Sequence, residues 1–169
     1  MIIKTARLTL RRARAGDLAD LHEVMRHAEA MRYWSTPPHP DLDTTASWLD
    51  CKLAEDPARS VEFVIEYLGR AIGTAGGGVL PEVGYILHPA QWGQGLAFEA
   101  MQAVIARAFA RPDTDHLMAD VDPRNAASVK LLKRLGFVYV SHADNTFRIA
   151  GEWVHSDYYR LERGAFIKP

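Results

Sequence analysis

One cysteine in 169 residues, Cys51, excludes an internal disulfide and any cysteine metal cluster. A charge excess is missing as well. The 20 Lys and Arg against 21 Asp and Glu leave a formal net charge of -1, whereas nucleic-acid binding normally needs a clear basic excess. An anionic ligand must therefore be held by local groups. No apolar run reaches membrane-spanning length, and residues 1–12 alternate rather than forming a signal peptide, so the cytosol is the expected address and no membrane partner is expected. Repeats, low-complexity stretches and long linkers are absent too. The seven histidines are scattered without ligand spacing, and no metal site is expected. What is present, 48% hydrophobic and 24% charged residues, is the composition of an ordinary globular chain, and its length fits one domain over residues 1–169.

Periodicity divides the chain. Leu8 to Arg12 alternates and predicts an early strand. Asp17 is placed to cap a helix carrying Leu18, Leu21, Val24 and Met25 on one face. Three prolines keep Tyr33 to Pro40 out of a helix, and a second helix is predicted from Thr44 or Thr45 to Glu55. The period then changes: 61–67 and 71–75 read as strands around a turn at Gly69, followed by a strand over 82–88 that Pro89 closes. Helical spacing returns from Gly95 to Phe109. A strand follows over 116–121, then a helix opened by Asn125 and ended at Gly136, then strands over 137–140 and 152–161. This order predicts an α/β (α+β) fold with a mixed sheet covered by helices on both faces.

The segment Trp92-Gly93-Gln94-Gly95-Leu96-Ala97 lies between a predicted strand and a predicted helix. Glycine at 93 and 95 allows the backbone to pass close to a bulky group. The following helix offers unpaired amides and the positive end of its dipole, which together make a pyrophosphate cradle. A tight strand-to-helix turn explains the same triplet. A Rossmann fingerprint would want a small residue at Phe98, and a P-loop would need Gly-Lys-Ser/Thr; neither is present.

The run from Glu82 to Ala100 resembles motif A of the GNAT N-acetyltransferase superfamily in its RimJ/RimL-like branch, with Trp92 at the position that begins the Q/R-x-x-G-x-G/A signature. Asp122 to Val129, continuing through Leu135-Gly136-Phe137, resembles the same branch's motif B, and Tyr33-Trp34 with Pro37-Pro38-His39 resembles its substrate-side loop. The resemblance extends from about Thr5 to Leu161. It implies a mostly antiparallel GNAT-type sheet splayed at its middle, acetyl-CoA as co-substrate, and an amine as acceptor. It further implies that Ile86 and Leu87 offer backbone groups to the pantetheine arm and the thioester oxygen, that Trp92 to Ala97 hold the pyrophosphate, and that Asn125 bonds the pantetheine. Lys130, Lys133 and Arg124 are the candidates for the 3′-phosphate, although a solvated helix face also explains them.

The tyrosine that often protonates the departing thiolate falls, by the Gly136-Phe137 landmark, at Leu132 and is missing. The resemblance to the branch puts Ser128 in that role; a capping or solvent-facing serine is its plainer reading. The hairpin glutamate that serves some relatives as base is also missing, because 145–148 reads Asn-Thr-Phe-Arg. Glu82, at the start of the splayed strand, is the preferred substitute through an ordered water, with Asp120 and His39 in reserve. A charged strand end and a structural loop histidine are the alternatives. Trp34 and His39 are assigned to the acceptor side. The sequence leaves open a protein N-terminus or a small amine as acceptor, a longer acyl group, a catalytically silent acyl-CoA sensor, and a monomer or homodimer.

Overall fold

The computed structural model describes residues 1–167. Five antiparallel strands form one sheet in chain order: β1 (Ile2–Lys4), β2 (Thr9–Arg11), β3 (Phe63–Tyr67), β4 (Arg70–Gly76) and β5 (Gly84–Leu87). A second sheet has the order β6 (His116–Val121), β8 (Glu152–Glu162), β7 (Val138–Ile149). Between β2 and β3 lie α1 (Leu18–Met25), the short α2 (Ala28–Met31) and α3 (Leu42–Ala54); α4 (Leu96–Phe109) joins β5 to β6, and α5 (Ala126–Arg134) joins β6 to β7. The fold class is the one expected.

Strand β3 shows why helices cover both faces. Its side chains alternate. Phe63 and Ile65 join Leu10, Ile72 and Leu87 beneath the apolar stripe of α4, whose Leu96, Met101, Val104 and Ile105 are fully buried. Val64 points the other way, onto Leu21 of α1 and Leu49 of α3.

The two sheets meet at one narrow junction. The Val83 amide donates to the Met118 carbonyl at 2.9 Å, and the Met118 amide donates to the Pro81 carbonyl at 2.8 Å, making a parallel bridge between Glu82 and Met118. Beyond it β5 and β6 run apart with no further ladder. The helices that follow these two parallel strands, α4 and α5, both begin beside the opening. A crevice at the carboxyl ends of neighbouring parallel strands is where open α/β sheets bind ligands.

Local signals differ in places from those expected. Asp17 occupies the N-cap position of α1 but its side chain makes no capping bond there: the carboxylate takes the Arg14 amide at 2.8 Å and a bidentate pair with Arg11 at 2.8 and 2.7 Å. Asp41, three residues before the expected helix start, caps α3 by accepting the Thr44 amide at 2.8 Å. Strand β7 runs to Ile149, well past the predicted 137–140, although most of its side chains are exposed. None of the helices among the described residues is long and apolar enough to cross a membrane.

Candidate functional site

Backbone alternation decides what the open edge of β5 presents. The Val83 amide faces β6 and the His88 amide bonds to Ile72 on β4 at 2.9 Å. Groups on 83, 85 and 87 therefore turn toward the gap, and those on 84, 86 and 88 toward β4. This corrects the expectation for Ile86, whose carbonyl is packed against Gly73 of β4, where a Cβ would lie 1.9 Å from it. Tyr85 and Leu87 supply the gap-facing groups. The Leu87 carbonyl is already engaged, accepting from the Trp92 indole at 3.0 Å. The Leu87 N–H is the donor turned into the opening.

The loop after β5 closes over this edge. Gly93 and Gly95 take φ values of 73° and 75°, left-handed positions that disfavour side chains, and Gly95 serves as the N-cap of α4. The orphan amides of the first turn thus open onto a cleft of about 550 Å³ between α4 and α5. Trp92, Gly93, Gly95, Leu96 and Ala97 line it, as do Ile86, Leu87, Asn125 and Ser128. Gln94 does not: its side-chain amide donates back to the Ala90 carbonyl at 3.2 Å.

On the facing side, the Asn125 carbonyl oxygen caps α5 by accepting the Ser128 amide at 3.1 Å, which leaves the Asn125 amide nitrogen for a ligand. Residues three apart on a helix share a face. Counting from Ser128 gives Leu131 and Arg134, and these line the cleft. Lys130 and Lys133 lie outside it, and the cation that α5 turns into the cleft is Arg134, packed 4.0 Å over the Phe98 ring, rather than the expected Lys133. Leu132 is buried at 2% exposure within the main core. Arg124 reaches the cleft while bonded to Asp122 at 2.6 Å.

Tyr85, not singled out from the sequence, also lines the cleft, with its hydroxyl 3.5 Å from the Ser128 carbonyl. Burial pushes its pKa up to about 12, so the phenol keeps its proton.

A second cavity of about 710 Å³ opens on the other side of the junction. Arg32, Tyr33 and Trp34 border both cavities. The Tyr33 ring is contacted by two guanidinium groups, those of Arg32 at 5.2 Å and Arg124 at 5.9 Å. Carboxylates of Glu62, Glu82, Asp120 and Asp122 line the second cavity. Glu62 is paired with Lys52 at 2.8 Å and Asp122 with Arg124. Glu82 and Asp120 have no cationic partner among the described residues. Loss of hydration raises the Asp120 carboxyl above its ordinary range; a Ser156 hydrogen bond opposes this, while the Glu82 and Asp122 charges reinforce it.

His39 reaches neither cavity. It is buried, its Nδ1 lies 2.9 Å from the Thr45 hydroxyl, and its ring meets Trp48 edge-on. Its assignment to the acceptor side is corrected: the ring anchors the proline-rich loop to α3. Trp34 does border both openings.

A family model described as an acetyltransferase (GNAT) domain matches residues 7–138. An uncharacterized N-acetyltransferase p20 of Bacillus licheniformis is 30% identical over 143 residues, covering 79% of this chain and 80% of that protein. The spermidine N-acetyltransferase of Vibrio cholerae, solved with CoA and spermine, superposes with a TM-score of 0.81 at 21% identity, covering 95% of this chain and 98% of that one. The ribosomal alpha-N-protein acetyltransferase RimL, solved with coenzyme A, gives 0.83 at 19% identity, with 96% and 98% covered.

Proposed function

The chain belongs to the GNAT acetyltransferase family and is an N-acetyltransferase, and from that premise we propose that it moves the acetyl group of acetyl-CoA onto a primary amine by direct attack, in the manner of the RimJ/RimL-like branch. The observation that carries the reading is the gap between β5 and β6, flanked by the N-termini of α4 and α5, with one cavity on each side and Arg32 to Trp34 bordering both.

Acetyl-CoA fits the first cavity. The amides around Gly93 to Ala97 and the dipole of α4 suit a pyrophosphate. Arg134 and Arg124 suit further phosphate charge, and the Asn125 amide suits the pantetheine arm. The Leu87 N–H is placed to stabilise the carbonyl oxygen as negative charge develops on it. The amine nitrogen bonds to the thioester carbon as the carbon–sulfur bond breaks. The thiolate takes a proton from the Ser128 hydroxyl, which regains one from solvent in the same relay, and the amine's surplus proton goes to the Glu82–Asp120 pair, directly or through water.

The acceptor follows from the second cavity. Two carboxylates without a cationic partner in its lining favour an amine carrying further positive charge, such as a polyamine, over a peptide N-terminus flanked by neutral residues.

Calorimetric titration with acetyl-CoA tests the first half. Wild type binds in the micromolar range and Gly95→Trp does not. Gly95→Ala carries the φ strain without the bulk and retains weaker binding. No binding by wild type overturns the reading. A higher kcat/KM for spermidine than for an Ala-initiated neutral peptide tests the second half, and the reverse order overturns it.

A further inference from the structure

Strands β7 and β8 form a long hairpin in which alternate residues share a face. On one face the cross-strand register sets His142 opposite Asp157, and a break in register after Ala143 brings Asp144 beside His155. Linear spacing hides this grouping, since the two histidines are separated by the hairpin turn.

The bonding pattern is unusual for neutral groups. His142 Nδ1 lies 2.7 Å from Asp157, so in the neutral ring the proton sits there and Nε2 is a lone pair. That Nε2 points at Asp144 Oδ1 at 3.1 Å. His155 Nδ1 lies 2.8 Å from the same oxygen and accepts the Asn145 amide at 3.4 Å, a long contact that shows its lone pair and that a metal ion would displace. Three acceptor atoms thus converge within 4.8 Å of one another with nothing positive between them.

We propose that His142 Nε2, His155 Nδ1 and Asp144 Oδ1 form a binding site for a divalent transition-metal ion of the zinc type. Ligand atoms around Zn²⁺, at roughly 2.0–2.1 Å from the ion, are separated from each other by roughly 3.3 Å. The two nitrogen–oxygen distances lie close to that spacing already, and only the two imidazoles need to draw together. Asp157 supplies what metal-bound imidazoles usually have, a carboxylate on the other ring nitrogen that fixes the tautomer and raises basicity. Two imidazoles and one carboxylate suit zinc, nickel or cobalt, whereas magnesium and calcium prefer oxygen donors. Strand β7 is largely solvent-exposed and β8 only partly buried here, so the hairpin has limited apolar packing to hold it. An ion between β7 and β8 staples it, beside the second cavity that His155 also lines. The site does not depend on the acyl-transfer reading.

The competing account is proton uptake, with both histidines charged around Asp144. Titration of chelator-stripped, untagged protein separates the two. Zn²⁺ binds at one equivalent by calorimetry, Co²⁺ gives a visible d–d band, and hydrogen exchange over 142–157 slows when Zn²⁺ is added. His142→Ala and His155→Ala each weaken Zn²⁺ binding at least tenfold, and Asp157→Asn, which removes no ligand atom, weakens it about 10- to 100-fold. Thermal midpoints of the histidine variants without metal stay near wild type, because both imidazoles are solvent-accessible. Absence of Zn²⁺ binding overturns the proposal. So does binding that survives both histidine substitutions, or binding that is lost in His27→Ala, since His27 and His88 are also neighbours at 5.3 Å between ring centres.

Discussion

Arg7, in the turn between β1 and β2, clasps Glu99 in the first turn of α4, with Nε 2.7 Å from Oε2 and the Arg7 amide 2.8 Å from Oε1. The same guanidinium donates to the Gln94 carbonyl at 2.8 Å, so one side chain ties the glycine loop to the helix it precedes. The pair is partly exposed and contributes only about 0–1 kcal/mol to stability. Arg7→Ala is therefore expected to weaken acetyl-CoA binding about tenfold with little change in the thermal midpoint. Equal losses in both, measured by calorimetry and by melting, would reduce the clasp to a structural contact.

Gly73 of β4 faces the Ile86 carbonyl of β5. Gly73→Ala places a Cβ 1.9 Å from the Ile86 carbonyl, so β5 must shift. Overpacking of this kind costs about 1–3 kcal/mol, a fall of a few degrees in melting temperature for a chain of this size. The Leu87 N–H moves with the strand, and kcat falls further than stability alone explains.

Ser128→Ala is expected to lower kcat by about 10²-fold, the usual scale for a lost proton donor, while the acetyl-CoA dissociation constant holds. Tyr85→Phe is the comparison. If Tyr85 carried the proton and Ser128 only capped the cleft, the two variants would exchange behaviour.

Asp120 gives a pH dependence of defined sign. Its raised carboxyl accepts a proton only once the pH has climbed past its folded value, so kcat/KM rises with pH through that region. Asp120→Asn removes this limb, leaving whatever titration Glu82 supplies. The stability sign is opposite. Between the unfolded value and the raised folded value the native state binds more protons than the unfolded chain, so stability declines as pH rises through that window. Asp120→Asn is thus expected to be slower yet more heat-resistant at pH 7. A variant both slower and less stable would point to a purely structural Asp120.

Much of the architecture could be read from periodicity, because β6 and α4 carry strong alternating and helical patterns and the glycine loop sits between two clear elements. The misses share a physical cause. Ile86 and Leu87 are both apolar and both buried, so composition cannot say which backbone faces the gap; the bonding of His88 and Val83 decides it. Lys133 and Arg134 are adjacent cations separated by a 100° turn of helix, and only the position of Ser128 identifies the one that faces the cleft. His39 reads as an acceptor-side residue only because its proline-rich segment resembles the family's substrate-side loop, whereas Thr45 and Trp48 draw it inward. The long β7 has no apolar alternation because most of it faces solvent, so its extent was not visible.

The bridge at Glu82 and Met118 makes the protein two plates sharing one short seam. A molecule lodged in the opening beyond that seam acts as a removable strand, completing a ladder the chain leaves unfinished. Binding energy is then spread across both plates instead of staying local. At 100-fold excess over its dissociation constant such a ligand stabilises the fold by about 2.7 kcal/mol. The amide protons that become protected should lie along β5 and along β6, on both sides of the seam at once.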